Sequence, residues 1–342
     1  MELTFKNTYT PKDKKIAILC LKQGEKKDGI FFYAHDLIEI LSKDNNLTIV
    51  SNHLFFNTLS ESIKNSTEFL KLPHISNRIT KWLFLIIFLP FIISKKGQFD
   101  EIIFCTEDLP LLSTKFFRKV LFPKTKINLV VHDIAEYFIS RYSPFKDLFR
   151  RIMVKRYIKF CDFVITVSQK TKSDLIELKF KNENNILLFY NQIKLPEVNL
   201  KESLFDFPYV LYVAGFDFPS KNHIGLINLF NSFGEKQFPY RLVLVGNADI
   251  KSKNLDNIKN KITELGLGND IKILTNISKD QLDCLYQHCE FTVFPSLYEG
   301  FGRPIVESIH FGKKVYSSDV GVFKEVSSHP LVFPLDKLRG LK

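Results

Sequence analysis

The chain has 342 residues, 45% hydrophobic and 25% charged, a composition that supports two folded domains of ordinary size and excludes a long disordered tail. Its net charge of +11 is uneven: residues 1–200 hold 31 Lys and Arg against 21 Asp and Glu, the remainder 17 against 16. Five scattered cysteines, Cys20, Cys105, Cys161, Cys284 and Cys289, show no C-x-x-C spacing, which argues against a metal or redox site and for small buried hydrophobes in a reducing compartment. Residues 1–15 contain no apolar run behind a basic start; a secretory signal is not expected, and a cytoplasmic location is.

In chain order, the apolar run 16–21 predicts a buried first strand, followed by a polar loop with Gly24, Asp28 and Gly29. Phe31, Ala34, Leu37, Ile38 and Leu41 recur at helical spacing, and 47–50 predicts a second strand. A hydrophobic helix near 80–94, strands at 101–105 and 127–131, a basic helix at 144–160 and a strand at 163–167 continue the alternation. Between 194 and 207 the periodicity lapses around Pro196, which places a linker there. A second series follows, with strands at 209–214, 241–245, 271–274, 291–294 and 314–317 and helices near 223–233, 255–265, 279–289 and 304–311. Strands alternating with helices predict parallel sheets covered on both faces, hence an α/β chain with domains at 12–195 and 205–342 and a ligand cleft between them.

The most informative segment is Phe294-Pro-Ser-Leu-Tyr-Glu-Gly-Phe-Gly-Arg-Pro-Ile-Val-Glu307. It leaves an apolar strand, turns at Gly300 and Gly302, and enters a helix whose expected first residue is Pro304. Amides at such a helix start, approached closely through glycines, receive a diphosphate or sugar oxygens. Glu299 at the turn and Glu307 in the expected first helical turn are placed to accept hydrogen bonds from vicinal hydroxyls. The alternative is that the glutamates only complement the helix dipole.

This segment resembles the E-x7-E motif of the retaining glycosyltransferases of family 4, also called group 1. The likeness is close over 209–327, through Leu265-Gly-Leu, Ile277-Ser-Lys-Asp-Gln-Leu, Leu285-Tyr and Ser318-Asp-Val-Gly321, and looser over 14–193. It implies the GT-B fold, two Rossmann-like doubly wound domains facing across a cleft. It also implies Glu299 near the donor sugar, Glu307 on the nucleotide ribose, and backbone amides of Phe301 and Gly302 facing sugar or diphosphate in place of a metal. No cofactor is expected.

Ala214-Gly-Phe-Asp-Phe-Pro-Ser-Lys-Asn222 resembles the family's loop after the first strand of the second domain, where Lys221 matches the lysine that neutralises the leaving diphosphate and Gly215 the preceding glycine. The family's arginine is Phe216 here, with Arg303 as the candidate substitute. In the first domain, Val130-Val-His-Asp133 resembles the family's H-D, which implies His132 beside the reacting sugar carbon. Gly29 matches the glycine loop near the donor phosphates. For Lys221 the bland reading is an exposed lysine before a helix, and for His132 and Asp133 it is a turn. Ser168 and Asn191 also match family positions, though packing or turn duty explains them as well.

Residues 82–93 form an apolar run flanked by Lys81 and by Lys95-Lys96. Twelve helical residues span about 18 Å, short of a bilayer core of roughly 30 Å, so this run is either a buried crossover helix or a monotopic contact. The helix at 144–160 sets Arg150, Arg151, Lys155, Arg156 and Lys159 against a stripe of Phe145, Leu148, Phe149, Ile152 and Phe160. The stripe is expected to pack inward, with the charges solvated or holding an anionic membrane or lipid-linked acceptor.

The expected partners are a nucleotide-sugar donor and a glycan or lipid-linked acceptor, as in capsule or lipopolysaccharide assembly, with possible peripheral contact to anionic membrane at the inner face. Nucleic acid is not expected, since no recognition-helix, zinc or stacking motif accompanies the charge. The alternatives are an epimerase on a similar fold and a catalytically reduced sugar-nucleotide-binding subunit. In the family a final helix returns to the first domain; here the sequence ends soon after Phe333-Pro-Leu-Asp336.

Overall fold

The computed structural model describes residues 5–21, 29–73, 75, 77–107, 110–140, 143–193, 202–233, 239–249 and 252–340. The Gly24 and Asp28 positions of the first loop and most of the linker around Pro196 lie outside the described residues. The chain divides into two compact units, one being Thr4–Tyr137 with Tyr142–Gln192 and the other Ile193–Lys342 with the short run Phe138–Arg141.

In the first unit the elements are β1 (Lys15–Cys20), α1 (Gly29–Leu41), β2 (Asn46–Ser51), α2 (His53–Asn57), α3 (Glu61–Ser66), β3 (Glu68–Lys71), α4 (Arg78–Ile87), α5 (Leu89–Ser94), β4 (Glu101–Phe104), α6 (Pro110–Leu121), β5 (Lys126–Val131), α7 (Pro144–Phe160), β6 (Phe163–Thr166), α8 (Gln169–Glu177) and β7 (Ile186–Leu188). Its seven strands are all parallel, in the order β3-β2-β1-β4-β5-β6-β7. The central strands are buried along their length, as Ile16 to Cys20 and Ile127 to Val131 show, because helices cover both faces of a parallel sheet.

The second unit runs β8 (Tyr209–Val213), α9 (His223–Asn231), β9 (Arg241–Gly246), α10 (Lys253–Glu264), β10 (Ile271–Thr275), α11 (Lys279–His288), β11 (Phe291–Phe294), α12 (Arg303–His310), β12 (Lys314–Ser317), α13 (Phe323–Val326) and β13 (Val332–Pro334). Its parallel order is β10-β9-β8-β11-β12-β13. Both units are thus doubly wound and Rossmann-like, and in each the strand order reverses at one place: between β1 and β4 in the first, between β8 and β11 in the second. Ligands of open α/β sheets bind outside the carboxyl ends of the strands at such a reversal.

Three expectations change. The first unit begins before residue 12: Phe5 stacks on Tyr190 with ring centroids 4.9 Å apart, Thr8 and Tyr9 amides donate to the Leu188 carbonyl, and the Tyr9 hydroxyl donates to Glu101 at 2.7 Å. The hydrophobic helix near 80–94 is two helices, broken at Phe88, because Pro90 has no amide to continue the helical bonding. Of the α7 stripe only Phe160 packs inward. Val154, Tyr157, Ile158 and Phe160 face the core, whereas Phe145, Leu148, Phe149 and Ile152 are exposed.

Candidate functional site

The loops after β8 and β11, on either side of the reversal, are stitched together by main-chain and side-chain bonds. The Leu297 amide donates to the Ser220 carbonyl at 2.8 Å, and Asn222 Nδ2 donates to the Pro295 carbonyl at 3.1 Å. Asn222 reaches that carbonyl from a left-handed backbone, φ 57°, directly after the short 3-10 turn Pro219–Lys221. The Tyr212 hydroxyl, from within β8, donates to the Lys221 carbonyl at 2.5 Å. Burial holds that phenol protonated, and Glu299 adds to the effect.

These constraints deliver the Lys221 ammonium to Glu299, with Nζ 2.5 Å from Oε1 and both side chains mostly enclosed. Ser296 donates to the same Glu299 oxygen at 2.9 Å. Lys221 is therefore not a free surface lysine before a helix. It and Glu299 form one charged unit at the place where the topology puts a ligand.

Glu307 sits on the next element. The structure starts α12 at Arg303, with Gly302 as N-cap and Pro304 second, so Glu307 is the fifth helical residue and lies beyond the first turn. The dipole effect is confined to that turn, which removes it as the sole reason for this glutamate. The Tyr286 hydroxyl donates to Glu307 Oε2 at 3.0 Å. Burial, then the nearby Glu307 charge, raises the Tyr286 pKa, so the phenol remains a donor. Its ring stacks on Phe311 at 5.3 Å, which fixes the hydroxyl from within the core. Arg303 lies 3.8 Å from Glu307 Oε1 one helical turn away. Arg303 thus neighbours the second glutamate.

No side chain caps α12, whose N-cap Gly302 has φ 90°. A Cβ there would press within 3.3 Å of the Ile305 and Phe294 side chains, and it is the left-handed backbone that calls for glycine. Behind the turn, the loop after β12 braces it: the Val322 amide donates to the Phe301 carbonyl at 2.7 Å and the Ser318 amide to the Phe294 carbonyl at 2.9 Å. Gly321, at φ 54°, lies so close that a Cβ would stand 2.2 Å from the Phe301 oxygen. Phe301 itself is buried by its side chain.

Two expected glycines show no such constraint. A Cβ on Gly215 would make only ordinary contact, 3.7 Å from the Asn247 oxygen, and one on Gly29, the first residue of α1, would meet nothing within 4 Å. The tight approach is at Gly246 instead, where a Cβ would lie 2.0 Å from the Ala214 oxygen. Phe216 is fully buried against His223, ring centroids 5.0 Å apart. The imidazole of His223 is held neutral, its pKa lowered to about 4 by burial and then by the Lys221 charge, and its nitrogens lack a well-formed hydrogen bond, with only the Ala214 backbone weakly favouring the charged form.

In the first unit, His132 follows β5, half-buried, with Nε2 2.9 Å from the Cys105 carbonyl and the Tyr33 ring edge-on at 5.0 Å. Asp133 accepts from the Ala135 amide at 3.0 Å, the turn role open to it from sequence. Ser168 caps α8 through the Thr171 amide. Sequence reasoning missed Tyr212, Tyr286, Ser296, Gly246 and His223 as parts of the site's support. Tyr286 and Ser296 stand in the segments that carry the resemblance, but neither is charged and each meets its glutamate only in the fold; Tyr212, Gly246 and His223 have no motif position.

Comparison with known proteins accords with this geometry. Residues 197–330 match the family of glycosyl transferases group 1. The chain is 25% identical over 206 residues, 60% of its length and 55% of the relative's, to the O-antigen chain mannosyltransferase RfbU of Salmonella typhimurium. It is 28% identical over 208 residues, 57% of the chain and 53% of the relative, to the O-antigen chain mannosyltransferase B of Escherichia coli. The chain thus spans about half the length of the curated relatives it matches. Its fold is similar to that of HepE from Anabaena, a crystal structure in complex with UDP and glucose, with a TM-score of 0.69, 20% identity, and 96% of this chain and 89% of that chain covered.

Proposed function

We propose that the chain transfers a sugar from a nucleoside diphosphate sugar to a hydroxyl of a glycan or lipid-linked acceptor, with retention of anomeric configuration and without a metal ion, in the assembly of a bacterial surface polysaccharide. The observation that carries this reading is the Lys221–Glu299 pair at the β8/β11 reversal, next to an uncapped helix start and a tyrosine-held Glu307. In this reading Lys221 neutralises the leaving diphosphate, an electrostatic role effective in an enclosed site. Glu299 positions that lysine and contacts the donor sugar. Glu307 accepts hydrogen bonds from the ribose, with Arg303 beside it. The amides of Phe301 and Gly302 face the sugar or diphosphate, with Gly215 and Gly29 as approach points, and His132 stands beside the reacting sugar carbon. Two relatives named as O-antigen mannosyltransferases make mannose the first sugar to test.

A second reading, donor binding without turnover, is favoured by one observation: Phe216 fills, as core, the position where the family carries its arginine. The test separates the two. UDP-, GDP- and ADP-sugars are screened for thermal stabilisation, about 2.7 kcal/mol being expected at a hundredfold excess over Kd, and reactions with glycan acceptors are assayed for free nucleoside diphosphate and extended product. One base should stabilise the chain, and Glu307→Ala should abolish the shift without unfolding it. Stabilisation without product favours the binding subunit; an unchanged shift in Glu307→Ala removes the ribose assignment.

A further inference from the structure

The exposed face of α7 is apolar at one end and basic at the other. At about 3.6 residues per turn, Phe145, Leu148, Phe149 and Ile152 share one face and are 82%, 56%, 56% and 44% exposed. Continuing along that face, three, four and seven residues beyond Ile152, come Lys155, Arg156 and Lys159, all exposed. α7 packs on α6, where Phe116 and Val120 are 81% and 79% exposed, and α6 packs on α4 and α5, which expose Leu83, Ile87 and Phe91, with Phe88 exposed at the break between them. The four helices contain eleven Lys and Arg and a single acid, Asp147, which is buried.

Protein interfaces deplete lysine and the acids alike, with no bias to one sign of charge. Aromatic and aliphatic side chains interleaved with cations, with no exposed acid in the helices, match instead the boundary between acyl chains and anionic headgroups. Among the described residues no helix is long and apolar enough to cross a membrane, so the contact lies in the plane of the surface. We propose that the α4–α7 face of the first unit docks on an anionic lipid leaflet. The first two turns of α7 enter the headgroup boundary, and Lys155, Arg156 and Lys159 meet lipid phosphates.

The basic end of α7 leads to a cavity of about 750 Å³ lined by Lys159, Lys179 and Lys181. Asp162 and Glu183 also line it, but each is matched by a cation, Arg118 at 2.8 Å and Lys172 at 3.1 Å. Lys181 is turned to the Ile158 and Cys161 carbonyls, so the exposed Lys159 and Lys179 are the cations that the cavity offers to a phosphate headgroup. This inference is independent of the sugar-transfer reading, which the nucleotide melts test separately.

The test is sedimentation of the chain with vesicles of phosphatidylcholine alone or mixed with phosphatidylglycerol, at low and high salt. Binding to mixed vesicles is expected to be about tenfold stronger than to neutral ones and to fall with salt. Phe145→Ser/Phe149→Ser and Lys155→Glu/Arg156→Glu/Lys159→Glu alter exposed side chains, and melts monitored by circular dichroism verify that both fold. Each should weaken binding to mixed vesicles about tenfold or more, and only the second should erase the preference for anionic lipid. Wild-type chain left in the supernatant overturns the proposal, as does unchanged binding by either folded variant. A wild-type dimer that becomes monomeric in Phe145→Ser/Phe149→Ser, without vesicle binding, reassigns the face to a second copy of the chain. If a variant fails to fold, the wild-type dependence on lipid charge and salt decides alone.

Discussion

Lys221 and Glu299, 78 residues apart in the chain, meet at 2.5 Å because β8 and β11 are neighbours in the sheet and the loops after them converge. Neither loop is long enough to wander: Ser220 and Leu297, then Asn222 and Pro295, are bonded across it. The pair is thus preorganised, and a bound diphosphate would draw on the lysine without reordering the loops.

Lys221→Met should lower kcat for nucleoside diphosphate release by about a hundredfold or more. The side chains are partly solvent-exposed, so the loss of stability should be only about 1–2 kcal/mol. Glu299→Gln and the double variant complete a cycle in which coupling of about 1 kcal/mol or more shows the two acting together. Steady-state kinetics and denaturant melts measure both quantities, and additive effects would dissolve the unit.

Gly321→Ala should destabilise the second unit by about 2 kcal/mol or more, since the new Cβ meets the Phe301 oxygen at 2.2 Å on a backbone that disfavours side chains. Gly29→Ala has open space and a helical start, and should leave stability unchanged or raised by up to about 1 kcal/mol. A loss of donor affinity in Gly29→Ala without loss of melting temperature would then report contact with ligand; retained affinity would remove Gly29 from the site.

Phe216→Arg places the family's arginine where this chain has core. The side chain there is wholly enclosed against His223, so an unpaired guanidinium should cost about 3 kcal/mol or more. The expected result is a lower melting temperature with no gain in turnover. A stable and faster Phe216→Arg would show that the loop can turn this position outward.

His223 makes the second unit sensitive to acid. Above pH 6.5 the imidazole is neutral whether the unit is folded or not, and it contributes no pH dependence. As pH falls from 6.5 towards 4, the unfolded chain takes up a proton that the folded ring refuses, because its pKa is lowered to about 4. Stability should therefore fall by up to about 3 kcal/mol across that window. His223→Phe, an apolar ring of similar shape between Tyr212 and Phe216, should flatten the pH profile of the melt; a profile as steep as wild type would assign the acid sensitivity elsewhere.

The strands at 291–294 and 314–317 were legible to the residue, because a parallel strand buried on both faces must be a short apolar run, and turn residues bound it. The doubly wound class, the helix at 144–160, and the Gly-x-Gly turn between two glutamates followed from the same local rules of periodicity and backbone freedom. The short edge strands β3, β7 and β13 did not, since three or four residues paired on one side carry too little pattern. The outward face of α7 could not be read either: the helix has apolar residues all round, and which of them are buried depends on what packs beneath it.

Lys221 and Glu307 were visible as single positions, but their partners Glu299 and Tyr286 were chosen by strand order and core packing. Local sequence determines element type because it sets backbone preference and surface polarity residue by residue. Which loops meet is decided only when distant elements compete for the same apolar faces, and that competition has no expression in any one stretch of chain.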